Sequence, residues 1–447
     1  MTDYVFVLGN NWTLSIAELL VLLHDLNLPF ELKDHTRKIA VVSIEKRLKI
    51  EDIIDIQESM GGCFKIGRVV QEYPREIVQK AFPMKGRIQN DERAILREFT
   101  WLNQVWTGVK GKRIKFGVST YPMIDGETDI DLRKLTLALD EWIKQRLVKN
   151  GAKKASFVAY DEPDRRRPSR QNTALWPKSI AKHGLLKPPN SEIIAALMEN
   201  RFILAKTIVV YDSMLQQYRD ESRPFISSEI STSPKISRTL LTLAGANRED
   251  TILDPFCGTG TLLMEAALLG MRVIGIDIDG NAVQGAENNL IWLGKDIGTH
   301  VDFRIIRGDA RNTAELVGEQ VDAVAFEPDL GPIYKTKPTL KEVNVTLNEL
   351  TVLYNKTLRS ISSILRENGR VAFTLPEIKS DEGRKGIRIE EVIKGTNFEV
   401  MPLLPKELII HSAPIDKKLK LQPDRRILPE RKRGQIVQRS IVVLSKF

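Results

Sequence analysis

The residues best placed to do chemistry lie between Thr251 and Asp329. Four acids there, Asp254, Asp277, Asp309 and Glu327, each stand at the end of a short apolar or β-branched run: TILD, RVIGID, VDFRIIRGD and VDAVAFE. An acid beside a buried strand is costly unless it has a partner or faces a cleft. Open parallel sheets bind ligands at the carboxyl ends of their strands. Between the first two acids the chain reads PFCGTG and then TLLMEAALLG. Gly258 and Gly260 let the backbone approach a ligand closely. Thr261 to Leu269 predicts an apolar helix that Gly270 ends. Asp277 sits where a carboxylate can accept hydrogen bonds from ribose hydroxyls. The G-x-G-x-x-G spacing of dinucleotide sites is missing, and Asp254 and Phe256 crowd the place of a pyrophosphate. An acid beside the loop suits a ligand carrying ammonium and sulfonium charges instead. Cys257 invites a covalent reading, a thiolate attacking a pyrimidine. Its place in the ligand loop, and the absence of a nucleophile motif after the fourth strand, weigh against it.

DPFCGTG followed by IDID resembles motifs I and II of class I S-adenosylmethionine methyltransferases, in the form found in nucleic-acid N-methyltransferases. Another α/β nucleotide binder is the alternative. Arg219-Asp220 and Arg223-Pro224, then SPKISRTLLTLAGA, DPFCGTG and AVQGAENNL, are similar in order to the tRNA guanine-N2-methyltransferases that act on guanosine 10. The likeness is close from Tyr218 to Leu293. Before Tyr211 it rests on element order and a basic loop. It implies an α/β chain: a C-terminal Rossmann-like class I methyltransferase sheet, preceded by an N-terminal ferredoxin-like α+β domain and a THUMP domain. The implied boundaries are 1–74, 75–211 for the THUMP-like RNA-binding domain, a linker at 212–234, and 235–447. The implied cofactor is S-adenosyl-L-methionine, held by Asp254, Phe256, Cys257, Gly258, Thr259, Gly260, Asp277, Ile278, Asp309 and Ala310. Asp309 would lie near the adenine, or serve as a helix N-cap. The implied partner is tRNA; whether a small activating subunit joins it stays open.

An exocyclic guanine amine is a poor nucleophile, because its lone pair is delocalised into the ring. Most of the rate gain must come from holding its N–H bonds and aiming the nitrogen. In the family this falls to an Asp/Asn-Pro-Pro-aromatic motif after the fourth strand. Here the motif stands as Glu327-Pro328-Asp329-Leu330-Gly331-Pro332. The candidates for catalysis are Glu327, Pro328 through its carbonyl, and Asp329, with Tyr334 as a substitute aromatic. Glu327 is one methylene longer than the usual acid, and a capping or ion-paired glutamate is its structural alternative. Three activities remain: methyl transfer to tRNA guanine N2, methyl transfer to an amine of DNA, and RNA binding with a cofactor that does not turn over.

The elements that must position these residues follow from the rest of the chain. A length of 447 residues and 42% hydrophobic content suit about three domains with sizeable cores. Two cysteines and five scattered histidines supply neither a disulfide framework nor a metal cluster. No apolar run approaches the ~20 residues that span a bilayer, and the start, MTDYVFVLGN, has no basic n-region. The expectation is a cytoplasmic protein without a membrane partner. Net charge is +9 but uneven: +6 in 151–189, +7 in 416–447, and −4 over the remainder. Clustered Lys and Arg are the footprint of a polyanion. Arg165, Arg166, Arg167, Arg170, Lys178 and Lys182 are the RNA-binding candidates, on a loop anchored by Ala174, Leu175, Trp176 and Ile180.

In order, YVFVL predicts a strand. Ser15 and Glu18 predict a capping box for a helix to Asp25. Strands follow at 38–44 and 63–72, with a helix at 50–59 between them. A long helical region covers 74–106, with Trp101 and Trp106 as packing residues. Strands at 112–120, 156–160 and 202–211 bracket a helix at 129–148. Residues 218–234 read as a polar connector. Beyond it, strands and helices alternate to a last strand at 440–444, the order of a seven-stranded sheet whose last strand is reversed.

Overall fold

The computed structural model describes residues 1–124, 129–160, 173–226, 232–409, 416–430 and 434–447. Arg165, Arg166, Arg167 and Arg170 lie outside the described residues.

The first sheet contains β1 (Thr2–Leu8), β2 (Phe30–His35), β3 (Ile39–Ile44), β4 (Cys63–Pro74), β5 (Arg113–Tyr121), β6 (Lys154–Phe157), β7 (Ser191–Leu197) and β8 (Arg201–Val210). Their spatial order is β2-β3-β1-β4-β8-β7-β5-β6. β4 pairs with β1 along its first half and with β8 along nearly its whole length, so residues on both sides of position 74 share one sheet. On one face of the sheet Val5, Val7, Ile39 and Val41 join Ile194, Ala196, Ile203 and Ala205 in one apolar cluster. Lys65 is buried in this region, its Nζ donating to Glu192 Oε1 at 2.6 Å and to Ser119 Oγ at 3.1 Å. A buried ammonium needs such partners.

The second sheet contains β9 (Thr251–Asp254), β10 (Arg272–Asp277), β11 (Phe303–Arg307), β12 (Ala323–Phe326), β13 (Arg370–Lys379), β14 (Arg384–Gly386), β15 (Phe398–Val400), β16 (Ile427–Glu430) and β17 (Val437–Lys446). The main path runs β11-β10-β9-β12-β13-β17-β15, with β14 on β13 and β16 on β17. Strands β9 to β13 are parallel, and β17 is antiparallel to β13. This is the Rossmann-like sheet with a reversed strand that the alternation of elements predicts. Its short strands are apolar because both faces are covered. The chain order changes direction at β9, with β10 on one side and β12 on the other, and a crevice opens there at the carboxyl ends.

The two sheets are welded through the helix Pro234–Leu243. One core joins Leu14, Ile16, Leu19 and Leu23 of the helix Trp12–Asp25 to Leu240, Leu241, Leu263 and Val273. Arg370 meets Asp25 at 2.5 Å, and Thr242 donates to the Ser59 carbonyl at 2.7 Å. Gly61 is pressed so hard against this helix that a Cβ on it would lie 1.8 Å from the Lys235 carbonyl oxygen.

Several local expectations need correction. The first helix starts at Trp12 behind Asn11, so Ser15 lies inside it and its hydroxyl bonds back to the Asn11 carbonyl at 3.1 Å. Glu18 is not a capping residue; it accepts the amides of Gly61 and Gly62 at 2.7 and 2.9 Å. Burial pushes its carboxyl up to about 7. The region 74–106 is three short helices, Arg75–Ala81, Asn90–Leu96 and Leu102–Val105. Pro83, Gly86 at φ +105° and Phe99 at φ +53° break it. The connector begins as a helix, Ser213–Ser222, which Asp212 caps by accepting from Met214 and Leu215. Trp101 and Trp106 are buried packing residues, as expected.

Candidate active site at the carboxyl ends of the second sheet

The loop after β9 is built by its own acids. Asp254 is 3% exposed and accepts the Phe256 amide at 2.9 Å. Burial, with the charges of Asp277 and Glu327 nearby, holds its carboxyl well above the usual range. The Cys257 amide donates to the Ile276 carbonyl at 2.9 Å, tying the loop to β10. Asp277 then takes two backbone donors, Gly258 through Oδ2 at 2.8 Å and Asp279 through Oδ1 at 2.9 Å. Gly260 has φ +83° and lies 3.3 Å, measured from an added Cβ, from the Ala286 Cα, so both its backbone angle and its neighbour require glycine. Its amide closes the turn on the Cys257 carbonyl at 2.8 Å. Thr259 and Cys257 are buried; Phe256 is half-buried, its ring 5.5 Å from Phe326. Burial, with Asp254 and Asp277 beside it, pushes the Cys257 thiol far up, which leaves it a protonated packing group and a poor nucleophile.

Next to Asp277, Ile278 is 70% exposed at the rim. Asp309 lies one strand further, where the Gly308 amide donates to the Asp277 carbonyl at 2.9 Å. Asp309 caps the turn Ala310–Asn312 through the Arg311 amide, and Arg311 Nε lies 2.9 and 3.0 Å from its two oxygens. These Arg311 contacts hold the Asp309 carboxyl below the usual range. Ala310 is buried beside it.

On the other side of the switch point, Glu327 follows β12. Its Oε2 accepts from the Thr232 hydroxyl at 2.6 Å, and its Oε1 faces Arg439 Nε of β17 in an ion pair. Pro328 is buried and Asp329 exposed. Asp329 folds on itself, its carboxylate accepting the Gly331 amide at 2.9 Å, while its carbonyl takes the hydroxyl of buried Tyr354. Tyr334 is half-buried against the core, with its hydroxyl 3.0 Å from that of Thr346. The crevice thus brings Asp254, Asp277 and Glu327 together. Asp309 stands at its edge in a pair with Arg311.

Other residues that hold this crevice were not singled out as functional in the sequence. Asn289, fully buried on the helix Gly280–Ile297, donates to the carbonyls of Thr259 and Phe225 at 2.9 and 3.0 Å and accepts the Phe225 amide at 3.0 Å. Arg223 donates to the Thr261 hydroxyl at 2.9 Å. The linker is therefore stitched to the glycine turn. The signal was present in Arg223-Pro224 and in AVQGAENNL, whose second asparagine, Asn289, lies on the buried face.

Away from the crevice, Lys178 and Lys182 are exposed, four residues apart on the helix Pro177–Lys182. Leu175 and Ile180 anchor that helix in a small core with Tyr160 and Leu185. Trp176 is 59% exposed and does not share in the anchoring, because it sits at the helix N-cap and turns outward. Among the described residues, no cluster of His, Cys, Asp and Glu could hold a metal ion, and no helix is long and apolar enough to cross a membrane.

Residues 223–383 match a family model described as RMKL-like, methyltransferase domain, and residues 97–288 match one described as DNA methylase. The chain is similar to the tRNA (guanine(10)-N2)-dimethyltransferase of Methanothermobacter thermautotrophicus, 37% identical over 192 residues, 43% of this chain and 52% of that one. It is similar to the enzyme of the same name from Pyrococcus abyssi, 38% identical over 157 residues, 35% of this chain and 42% of that one. These matches span about half the length of the curated relatives. Its fold is that of TrmN from Thermus thermophilus, with a TM-score of 0.52 over the whole of both chains at 18% identity.

Proposed function

We propose that this chain is an S-adenosylmethionine-dependent methyltransferase that modifies the exocyclic N2 of a guanosine in tRNA, of the position-10 type. One observation carries the reading: Asp254, Asp277 and Glu327 stand at the carboxyl ends of three adjacent parallel strands, around a glycine turn at the switch point. The substrate class comes from the names of the relatives, which are tRNA guanine-10 enzymes.

The residues fit such a cofactor. A Cβ placed on Gly258 meets nothing within 4 Å, so the outer side of the turn is open to a ligand. When bound, the cofactor supplies an electrophilic methyl group on a sulfonium. Asp277 would accept the ribose hydroxyls, with Ile278 against the purine face and Asp309-Ala310 at its edge. The turn from Asp254 to Gly260 would hold the amino-acid end, where the acids favour positive charge. Glu327 and the Pro328 carbonyl would accept the N–H bonds of the target amine and aim its nitrogen, with Asp329 shaping the loop behind them. Residues 75–211 would grip the RNA as a THUMP-like module, behind a ferredoxin-like unit at 1–74 and joined through 212–234 to the methyltransferase domain at 235–447. Arg165, Arg166, Arg167, Arg170, Lys178 and Lys182 would meet phosphates. We place the protein in the cytoplasm, and include a small activating subunit only if the isolated chain fails on tRNA.

A second reading, cofactor and RNA binding without turnover, draws on the altered motif, in which Leu330 replaces the aromatic and Tyr334 is tied to Thr346. Incubation with isotopically labelled cofactor and bulk tRNA, other RNA or DNA, followed by nucleoside mass spectrometry, separates these readings. Labelled N2-methylguanosine in tRNA supports the proposal. Label in a DNA amine moves the substrate, and label nowhere favours the second reading.

A further inference from the structure

The departure at position 327 has a structural counterpart on the last strand. Along β12, Ala323 and Ala325 face the core shared with the first sheet, and Val324 and Phe326 face the other side. Glu327 continues the first face. Along β17, Ile441 and Val443 lie on that same face, with Val442 and Leu444 opposite. Arg439 therefore projects toward the Glu327 side, although β13 lies between the two strands. Two strand spacings are about 9.6 Å, a gap that two long side chains close and short ones do not. Arg439 is paired across the sheet with Pro376 of β13 and Glu430 of β16. Its Nε meets Glu327, and its Nη1 lies 3.9 Å from Glu430 Oε2. The side chains of Glu327 and Arg439 are 6% and 16% exposed, so solvent screens this pair little.

We propose that Arg439 is a positioning residue of the methyl-transfer site, which fixes the Glu327 carboxylate at the carboxyl end of β12 for the N–H bonds of the target amine. The proposal rests on the methyltransferase reading above. Its physical basis is the company Glu327 keeps. The Asp254 carboxyl on β9 and the Tyr354 phenol lie near it, Asp329 follows Pro328, and Glu430 on β16 shares Arg439. Thr232 adds a neutral hydroxyl, and among the described residues Arg439 is the cation paired with it. A long glutamate side chain has several rotamers, and a carboxylate that must accept N–H bonds at one place has to be held in one of them. A guanidinium stays charged and holds it there at any working pH. The extra methylene of Glu327 gives the reach to Arg439, and the two residues belong together as a pair.

Single-turnover methyl transfer tests this, with cofactor and tRNA affinities measured beside it. In R439Q both affinities should stay within about twofold. Without its ion-pair partner the Glu327 carboxylate loses its fixed place, so the single-turnover rate should fall by about 10-fold or more, as misplacement of a reacting group does. R439K should keep most of the rate at pH 7. E327A and the double variant E327A/R439Q should be equally slow, because Arg439 acts through Glu327. A wild-type rate in R439Q overturns the proposal and leaves Arg439 a packing residue. No transfer by the wild type to any nucleic acid overturns the methyltransferase reading instead. A crystal structure of R439Q then decides the remaining claim: a Glu327 carboxylate displaced from its place at the end of β12 supports the positioning role, and an unmoved one sinks it.

Discussion

Removing the Asp277 carboxylate should weaken S-adenosylmethionine binding in two separable ways. The side chain has two tasks in the proposed site. It would accept two ribose hydroxyls, and it holds the glycine turn through the Gly258 and Asp279 amides at 2.8 and 2.9 Å. Hydrogen bonds to a charged group contribute about 1.5–3 kcal/mol. Loss of the ribose contacts in Asp277→Ala should therefore cost at least that much, a fall in affinity of roughly 10- to 150-fold. The untethered amides add to the loss, since a turn no longer pre-formed must be ordered on binding. Asp277→Asn separates the contributions. Its single carbonyl oxygen keeps one of the two amide tethers and loses the charge, so its affinity should lie between wild type and alanine. The assay is isothermal titration calorimetry with the cofactor and with its demethylated product. A cofactor affinity in Asp277→Ala within twofold of wild type would remove Asp277 from the site, whatever its scaffolding role.

Three further outcomes follow from other parts of the molecule. Reversing Arg165, Arg166 and Arg167 together with Lys178 and Lys182 to glutamate should weaken tRNA binding and flatten its salt dependence, because fewer phosphate contacts release fewer counterions; filter binding at several salt concentrations checks this, and cofactor affinity should not move. Asp140 is 1% exposed on the helix Leu132–Lys149, and burial pushes its carboxyl up to about 8; the folded state then keeps a proton that the unfolded chain releases near pH 4, so stability falls as pH rises between about 4 and 8. Urea unfolding of Asp140→Asn should show a few kcal/mol less of this loss than wild type between pH 5 and 8, and parallel curves would refute the reasoning. Gly61→Ala would place a methyl against the Lys235 carbonyl, at 1.8 Å before relaxation, and thermal unfolding should show a loss of at least ~1–3 kcal/mol.

How much of this could be read from the sequence depends on whether the cause was local. The second sheet was legible because its strands are short, apolar and end in acids, and because Gly258, Gly260 and Gly270 mark turns. Asp254 and Asp277 fall where that pattern puts them. β2 and β7 were missed. β7, SEIIAAL, is buried at every position, so it carries no alternation to detect. The capping box at Ser15 and Glu18 failed because a long-range demand won: Glu18 is taken by the amides of Gly61 and Gly62, 43 and 44 positions away. Arg439 lies 112 positions beyond Glu327, on a strand that reaches it only through sheet order, so no spacing rule announces the pair. The basic segments were visible as composition; in the first of them the described helix Pro177–Lys182 shows Trp176 turned outward.

The charge distribution also explains how one molecule can select both proposed ligands. The chain is basic overall, at +9, and its excess lies in two segments far from each other in sequence. The crevice has the opposite sign, with Asp277 and Asp329 at its rim and Glu327 paired to Arg439. Long-range attraction brings a polyanion to the basic surface and is weakened by salt. At short range, phosphate is repelled by the acids, while a sulfonium and an ammonium are drawn in. A neutral base swung away from its backbone can enter where a phosphate cannot. High salt should accordingly raise KM for tRNA steeply. The same salt should change cofactor affinity much less, because the partners of the cofactor are half-buried acids and backbone amides within a screening length of it. Parallel losses of both affinities with salt would contradict this division between surface and crevice.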